Sequence, residues 1–393
     1  MDFSLTEEQL AFKDAVFKFS RNEIMPLMEE YEMKGEFPWP AWKKMAEYGM
    51  MGLPFPEEYG GSGADILTTL IGMEALGHGG AAAGLCLSWG AHTVLCGVPI
   101  WLVGTEEQKK KYLTKIASAE WIGGFGLTEP GAGSDAAGVQ ATAVKKGDKY
   151  ILNGTKMFIT NAPIGDVFIV IAVTNKEMKH LGISAFIVEK DFPGFSIGKE
   201  LNKMGNRTST TSELIFEDCE VPAGNLLGAE GYGFLQVGKT ILEWERSCLL
   251  AAGVGGMEAA IETCSRYAKD RKQFGRSIAE FQAVQSKLAE MKVIQAAARR
   301  IMYKVAWMKK NEMPAMLEAS IAKLFITEMG LKLADHAVQI HGGYGYMKEY
   351  PVEWGYRDAK LGTIGGGTSE IQRNIISKLI LNLKKAKKEG GGN

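Results

Sequence analysis

The sequence predicts an α+β protein in three parts: an N-terminal α-helical domain (1–122), a small β-barrel-like middle domain (123–232) and a C-terminal four-helix-bundle domain (233–393). Three observations predict it. Helix-start signals and helical spacing fill the first third, apolar/polar alternation sets in near Gly123, and after Gly233 the helical pattern returns in longer runs.

In the first part, Thr6-Glu7-Glu8-Gln9 and Thr105-Glu106-Glu107-Gln108 each set a hydroxyl three residues before a Gln, the capping-box form that starts a helix. Trp42 to Met50 and Ile66 to Leu76 are amphipathic at helical spacing, with turns from Pro54 to Gly63. Between Gly79 and Gly104 there is no Asp, Glu, Lys or Arg, a length that could span a membrane. Gly90, His92, Thr93, Gly97 and Pro99 fit two buried helices with a break better, so no span is expected. Gly77-His78-Gly79-Gly80-Ala81-Ala82 imitates a dinucleotide-binding fingerprint, but a helical segment precedes it where the fingerprint needs a strand.

In the middle part, Val139 to Val144 alternates, Lys146-Gly147-Asp148 can turn and Tyr150 to Leu152 returns as a hairpin. Phe168 to Val173, Ile183 to Val188 and Glu213 to Phe216 continue the strands. The turn Gly126 to Asp135 offers backbone amides and hydroxyls to a polar ring edge or a phosphate. In the last part, Gly238 to Lys269, Ile278 to Lys310, Ala315 to Ile340 and about Ser369 to Lys388 are the candidate bundle helices.

At 393 residues, 46% apolar and 23% charged, the chain can bury a large core. A net charge of -1 gives no electrostatic case for nucleic acid or an anionic membrane. The basic cluster Lys384, Lys385, Lys387 and Lys388 is expected to be a solvated helix end. Five cysteines without CxxC spacing suggest reduced core thiols. Five histidines without HExxH spacing leave no metal site expected. Met1-Asp2-Phe3-Ser4 opens neither a signal nor a transit segment, so a mature, cytoplasmic chain is expected.

One carboxylate stands out. If Ile241 to Gly253 is α-helical, the neighbours of Glu245 are Ile241, Leu242, Cys248, Leu249 and Ala252, all apolar. Arg246 is adjacent in sequence but points elsewhere on a helix. Glu245 is therefore either paired with a group elsewhere in the fold or functional. Glu243, by contrast, has Lys239 four before it and Arg246 three after it, an ordinary ion-pair spacing.

Five segments together resemble the flavin-dependent acyl-CoA dehydrogenase family over essentially the whole chain. They are Leu127 to Asp135, Asn153 to Asn161, Arg271 to Gly275 with Phe281 and Gln282, Gln339 to Gly345, and Gly367 to Gln372. The resemblance implies FAD, an acyl-CoA substrate, electron-transfer flavoprotein as acceptor and a homotetramer built as a dimer of dimers. It implies that Leu127, Thr128, Gly133 and Ser134 meet the flavin and pyrophosphate, with Ser134 also near substrate, and that Phe158, Ile159 and Thr160 lie against the flavin ring. Several relatives carry Trp at the Phe158 position, and either ring can pack there. Arg271, Gln273, Phe274, Phe281, Gln282, Gln339, Gly342 and Gly343 match FAD contacts made across a subunit boundary. Thr368 and Glu370 match contacts at the start of the last helix.

The family's reaction takes the α-proton of an acyl-CoA thioester to a carboxylate while the β-hydrogen leaves as hydride to flavin. Many members place that carboxylate directly before the Gly-Thr of the last segment, where this chain has Gly366. The isovaleryl-CoA and long-chain branches use instead a Glu directly before an Arg on the helix after the β-domain. Counting back from Arg271 puts that Glu at Glu245 and the Arg, a substrate neighbour, at Arg246. The Gly366 amide keeps the carbonyl-donor role that the resemblance implies, and Glu243 matches a position able to touch the CoA pantetheine. Space at Gly366, and the local likeness of Ser88-Trp89-Gly90-Ala91-His92 to the isovaleryl branch, suggest a short, branched or alicyclic acyl group, with Trp89 in the pocket. The alternatives are an acyl-CoA oxidase or enoyl-CoA reductase on the same scaffold, or a non-catalytic flavin- or CoA-binding protein.

Overall fold

Both capping boxes form: Thr6 and Thr105 each accept the amide of the Gln three residues on and donate their own amide to its side chain. They open α1 (Glu7–Phe19) and α7 (Glu106–Ala117). Between them lie α2 (Met25–Lys34), α3 (Trp39–Glu47), α4 (Ile66–Gly79), α5 (Ala83–Trp89) and α6 (Val98–Val103). The computed structural model describes residues 4–382, apart from the side chains of residues 239–243.

The uncharged stretch differs from expectation. Residues Gly90–Gly97 are π-helical and join α5 to α6, so the two expected helices with a break are one helix over Ala83–Val103. Its length and apolarity would suffice to cross a membrane, but 72% of its most apolar window is buried, as in a core helix.

The middle part is one eight-stranded sheet: β1 (Gly123–Gly126), β2 (Thr142–Lys146), β3 (Lys149–Thr160), β4 (Val167–Val173), β5 (Ile183–Glu189), β6 (Phe195–Ile197), β7 (Thr211–Pro222) and β8 (Leu226–Leu227). The order is β6-β7-β3-β2-β4-β5-β8, with β1 parallel to β4. β4 is buried on both faces. Phe168 and Val170 pack into a core private to the sheet, while Ile169 and Ile171 join the core shared with the helices.

In the last part, α8 (Gly233–Trp244) passes through a π turn at Glu245–Leu249 into α9 (Leu250–Asp270). A hairpin of β9 (Lys272–Gln273) and β10 (Arg276–Ser277) leads to α10 (Gln282–Lys310), α11 (Met316–His341), α12 (Val352–Gly362) and α13 (Ser369–Ile380). α4 crosses α9 so closely that an added Cβ at Gly77 would lie 2.0 Å from the Ala252 carbonyl oxygen, and one at Gly255 2.0 Å from that of Glu74. All five cysteines are buried and free. Among the described residues no His/Cys/Asp/Glu cluster could hold a metal. The lysine cluster at 384–388 lies outside the described residues.

Candidate active site

The π turn starts at Glu245 and changes the geometry expected of that residue. An α-helical register sets its forward neighbours at three and four residues, whereas a π turn widens that spacing. Glu245 lines a cavity of about 370 Å³ walled mainly by α9, α11 and α12, within the size range of ligand pockets. Burial pushes its carboxyl above the usual range, and Arg246 and Lys323 pull partly the other way. Arg246 is buried with Nη1 3.2 Å from Ser320 Oγ. Lys323 donates to the Gly362 carbonyl at 2.7 Å, and burial lowers its ammonium to about 8 despite Glu245.

Gly366 faces this acid. A Cβ built on Gly366 would lie 2.5 Å from Glu245 Oε1, and its φ of +63° is a left-handed conformation that favours glycine. The two positions that the family count linked therefore meet in space, 121 residues apart in the chain. The Gln372 carboxamide, fully buried, donates to the carbonyls of Gly366 and Gly367 at 3.2 Å each and fixes this loop. Among the described residues the Gly366 amide has no acceptor, so it is free to serve a ligand.

The second cluster lies where the loop after β1 meets β3. The loop from Leu127 to Asp135 is tied down by Glu129, whose carboxylate accepts from Lys156 Nζ at 2.6 Å and from the Gln140 and Ala141 amides at 2.7 and 2.9 Å. Lys156 is fully buried and also donates to the Leu127 carbonyl. Gly133 and Ser134 stay exposed, and Thr128 accepts from the Met157 amide at 2.8 Å. The register of β3 against β7 slips between Lys156 and Ile159. Phe158, inside that bulge, has φ +61° and is 63% exposed, while Ile159 is buried. A phenyl ring held outward by strained backbone beside open amides is what a flat aromatic cofactor needs.

A third cluster is a surface groove. Arg271, Gln273, Gly342 and Gly343 line it together, with the Arg271 guanidinium 5.4 Å from the Tyr344 ring centroid. Gln339 is exposed on the last turn of α11. At the hairpin tip Phe274 is 92% exposed and meets Phe281 edge-on at 6.0 Å, with Gln282 opening α10. Thr368 caps α13 by accepting the Ile371 amide, and Glu370 sits exposed in its first turn. Open amides, a guanidinium and a helix N-terminus suit a pyrophosphate. The residues present thus fit FAD.

One candidate lies elsewhere. Trp89 is fully buried, donates to the Met50 carbonyl at 2.8 Å and is not among the residues lining the cavity. Glu243 falls among the side chains outside the described residues. Nothing in the sequence marks Lys323, which an ordinary helix pattern conceals, and Gln372 stands out there only as the end of the segment Gly367 to Gln372. Glu129 and Lys156 both fall within the family-like segments, but nothing in their spacing announces that they pair.

The chain matches the description "Acyl-CoA dehydrogenase, N-terminal domain" over residues 6–120, "middle domain" over 124–219 and "C-terminal domain" over 231–381. It is 48% identical to the Probable acyl-CoA dehydrogenase YngJ of Bacillus subtilis, over 97% of this chain and 100% of that one. It is 41% identical to the Caffeyl-CoA reductase-Etf complex subunit CarC of Acetobacterium woodii, over 96% and 99%. The structure of butyryl-CoA dehydrogenase from Megasphaera elsdenii superposes with a TM-score of 0.92 at 40% identity, covering 97% of this chain and 100% of that one. The FAD complex of PigA does so at 0.93 and 34%, covering 97% and 99%. The chain belongs to the acyl-CoA dehydrogenase family and is an FAD-dependent enzyme of that family.

Proposed function

We propose that the protein carries out α,β-dehydrogenation of an acyl-CoA thioester with Glu245 as the base. The observation that carries this is the 2.5 Å separation between a Cβ at Gly366 and Glu245 Oε1: the acid on α8–α9 occupies the space a side chain at 366 would fill. The Gly366 amide donates to the thioester carbonyl and acidifies the α-carbon, and the Glu245 carboxylate takes the proton. FAD, when bound by Leu127, Thr128, Ser134, Phe158 and Thr160 together with the groove residues of a neighbouring copy, would supply the hydride acceptor. Burial raises the Glu245 carboxyl above the usual range, and Arg246 and Lys323 oppose that rise in part, favouring the carboxylate form that the reaction needs.

The suggestion of a short, branched or alicyclic acyl group loses both its supports. The space at Gly366 is taken by the carboxylate, and Trp89 lies away from the cavity. For partners, the likeness to a subunit of an Etf complex supports electron-transfer flavoprotein as acceptor. Phe274, exposed at the tip of a projecting hairpin, supports a homotetramer in which a neighbour covers it.

Anaerobic bleaching of the flavin by acyl-CoA tests the assignment. Glu245→Gln should slow bleaching by about a thousandfold while retaining FAD. Unchanged bleaching would remove Glu245 from the reaction, and rapid reoxidation of the reduced enzyme by oxygen would favour the oxidase.

A further inference from the structure

The cavity continues well beyond the acid. Past Glu245, its α9 wall consists of Leu249, Gly253, Gly256, Met257, Ala260 and their neighbours, all apolar or glycine. Opposite, from Gly330 onward, α11 also presents only apolar atoms and glycine. The charged groups gather nearer the acid or enter from α12.

Two of these glycines have no packing reason to be there. Glycine weakens a helix interior relative to alanine. Gly255 is explained, because a Cβ there would strike the Glu74 carbonyl at 2.0 Å. At Gly253 and Gly256 an added Cβ would meet no heavy atom within 4 Å. Gly253 is exposed and Gly256 half-buried, and what they preserve is open volume along the cavity wall. Gly330, across from them, leaves room for the Met257 methyl, 2.9 Å from where its Cβ would be.

We propose that this is a deep channel for the tail of an extended, apolar acyl chain of about ten carbons or more, and that Gly253 and Gly256 set its length. The proposal rests on Glu245 marking the reacting carbons. From Glu245 to Gly256 the helix advances roughly 16 Å at about 1.5 Å per residue. A zigzag chain of ~1.5 Å carbon–carbon bonds advances about 1.25 Å per carbon, so roughly a dozen carbons reach Gly256.

The test is equilibrium binding of product-type enoyl-CoAs with four to sixteen acyl carbons to the FAD-loaded enzyme. Affinity should tighten with length up to about twelve carbons, by as much as about fourfold per methylene, the equivalent of ~0.8 kcal/mol. Gly256→Leu should cut the twelve-to-four-carbon affinity ratio at least tenfold, and Gly256→Ala should cut it less but in the same direction. Gly256→Ala removes a helix-weakening glycine, so an unchanged or higher Tm with an altered profile separates channel filling from misfolding. Affinity that stops rising at four carbons, as a butyryl-type site would give, overturns the proposal; so does a length profile untouched by Gly256→Leu. Unimpaired bleaching by Glu245→Gln would sink the base assignment alone, leaving the length profile to judge the channel.

Discussion

At the residue scale, Glu245 and Gly366, to which the proposed reaction gives the base and the carbonyl donor, meet in space. Their pairing was legible in the sequence, because the count from Arg271 has no gap and Gly366 breaks the expected pattern. The consequence of the pairing was not legible, since only the folded structure brings the carboxylate into the space beside Gly366. Gly366→Ala should therefore fail twice. A non-glycine residue at φ +63° costs about 1–2 kcal/mol. The new Cβ, 2.5 Å from Oε1, also forces the carboxylate out of line. Thermal unfolding should show a Tm drop of a few degrees with flavin retained, while kcat falls at least a hundredfold at temperatures where the variant is folded. A variant with the Tm loss but normal kcat would show that the carboxylate has another route to the substrate.

At the element scale, the helices with strong start signals and the apolar strands could be read in advance, whereas irregular elements could not. The π turn at 245–249 has no signature in a 3.6-residue period. β1, Gly123-Gly124-Phe125-Gly126, has Phe125 as its one strand-forming side chain. It pairs with β4 because it packs so tightly that a Cβ at Gly123 would touch Cys96 at 2.7 Å and one at Gly124 would touch Phe168 at 2.8 Å. α12 was missed because it is short and Gly355 interrupts its pattern. The Glu129–Lys156 pair is the tie between β3 and the flavin loop, and it is almost wholly removed from water. Removing one partner leaves a buried charge. Lys156→Met should cost about 3–5 kcal/mol and release FAD, read as Tm and as flavin absorbance after gel filtration. Glu129→Gln with Lys156→Met should regain much of that Tm, because the Gln oxygen can still accept a backbone amide while no charge is stranded. A harmless single substitution would mean that Glu129 finds solvent on its own.

At the scale of the whole molecule, the three parts meet at a buried acidic junction that no local pattern announces, its closest contact spanning 152 residues. Glu32 comes from α2, Asn206 from the segment between β6 and β7, and Asp358 from α12. Asp358 Oδ1 accepts the Asn206 amide at 2.5 Å, and Asn206 Nδ2 donates to the Asp358 carbonyl at 3.2 Å. Burial, reinforced by Glu32, raises the Asp358 carboxyl to about 7, against the opposing Arg357. Arg357 is committed to Glu353 by two hydrogen bonds and comes only within 3.6 Å of Glu32. Lys203 and Arg207 face the same junction from the sheet side, and burial holds Lys203 near 8. The sign follows from proton uptake. Between the unfolded value near 3.8 and the folded value near 7, the folded state binds the extra proton, so the Asp358 contribution to stability is lost as pH rises through that window. Above it the penalty is constant. Asp358→Asn keeps an oxygen for the Asn206 amide and has nothing to titrate. Measured on the FAD-loaded enzyme, its Tm should gain on wild type from pH 5 to pH 7.5 and then run parallel, a difference of about 1–4 kcal/mol at the plateau. Curves parallel across the whole range would mean that Asp358 ionises in the folded enzyme as it does in water, and that the junction holds a charge at neutral pH.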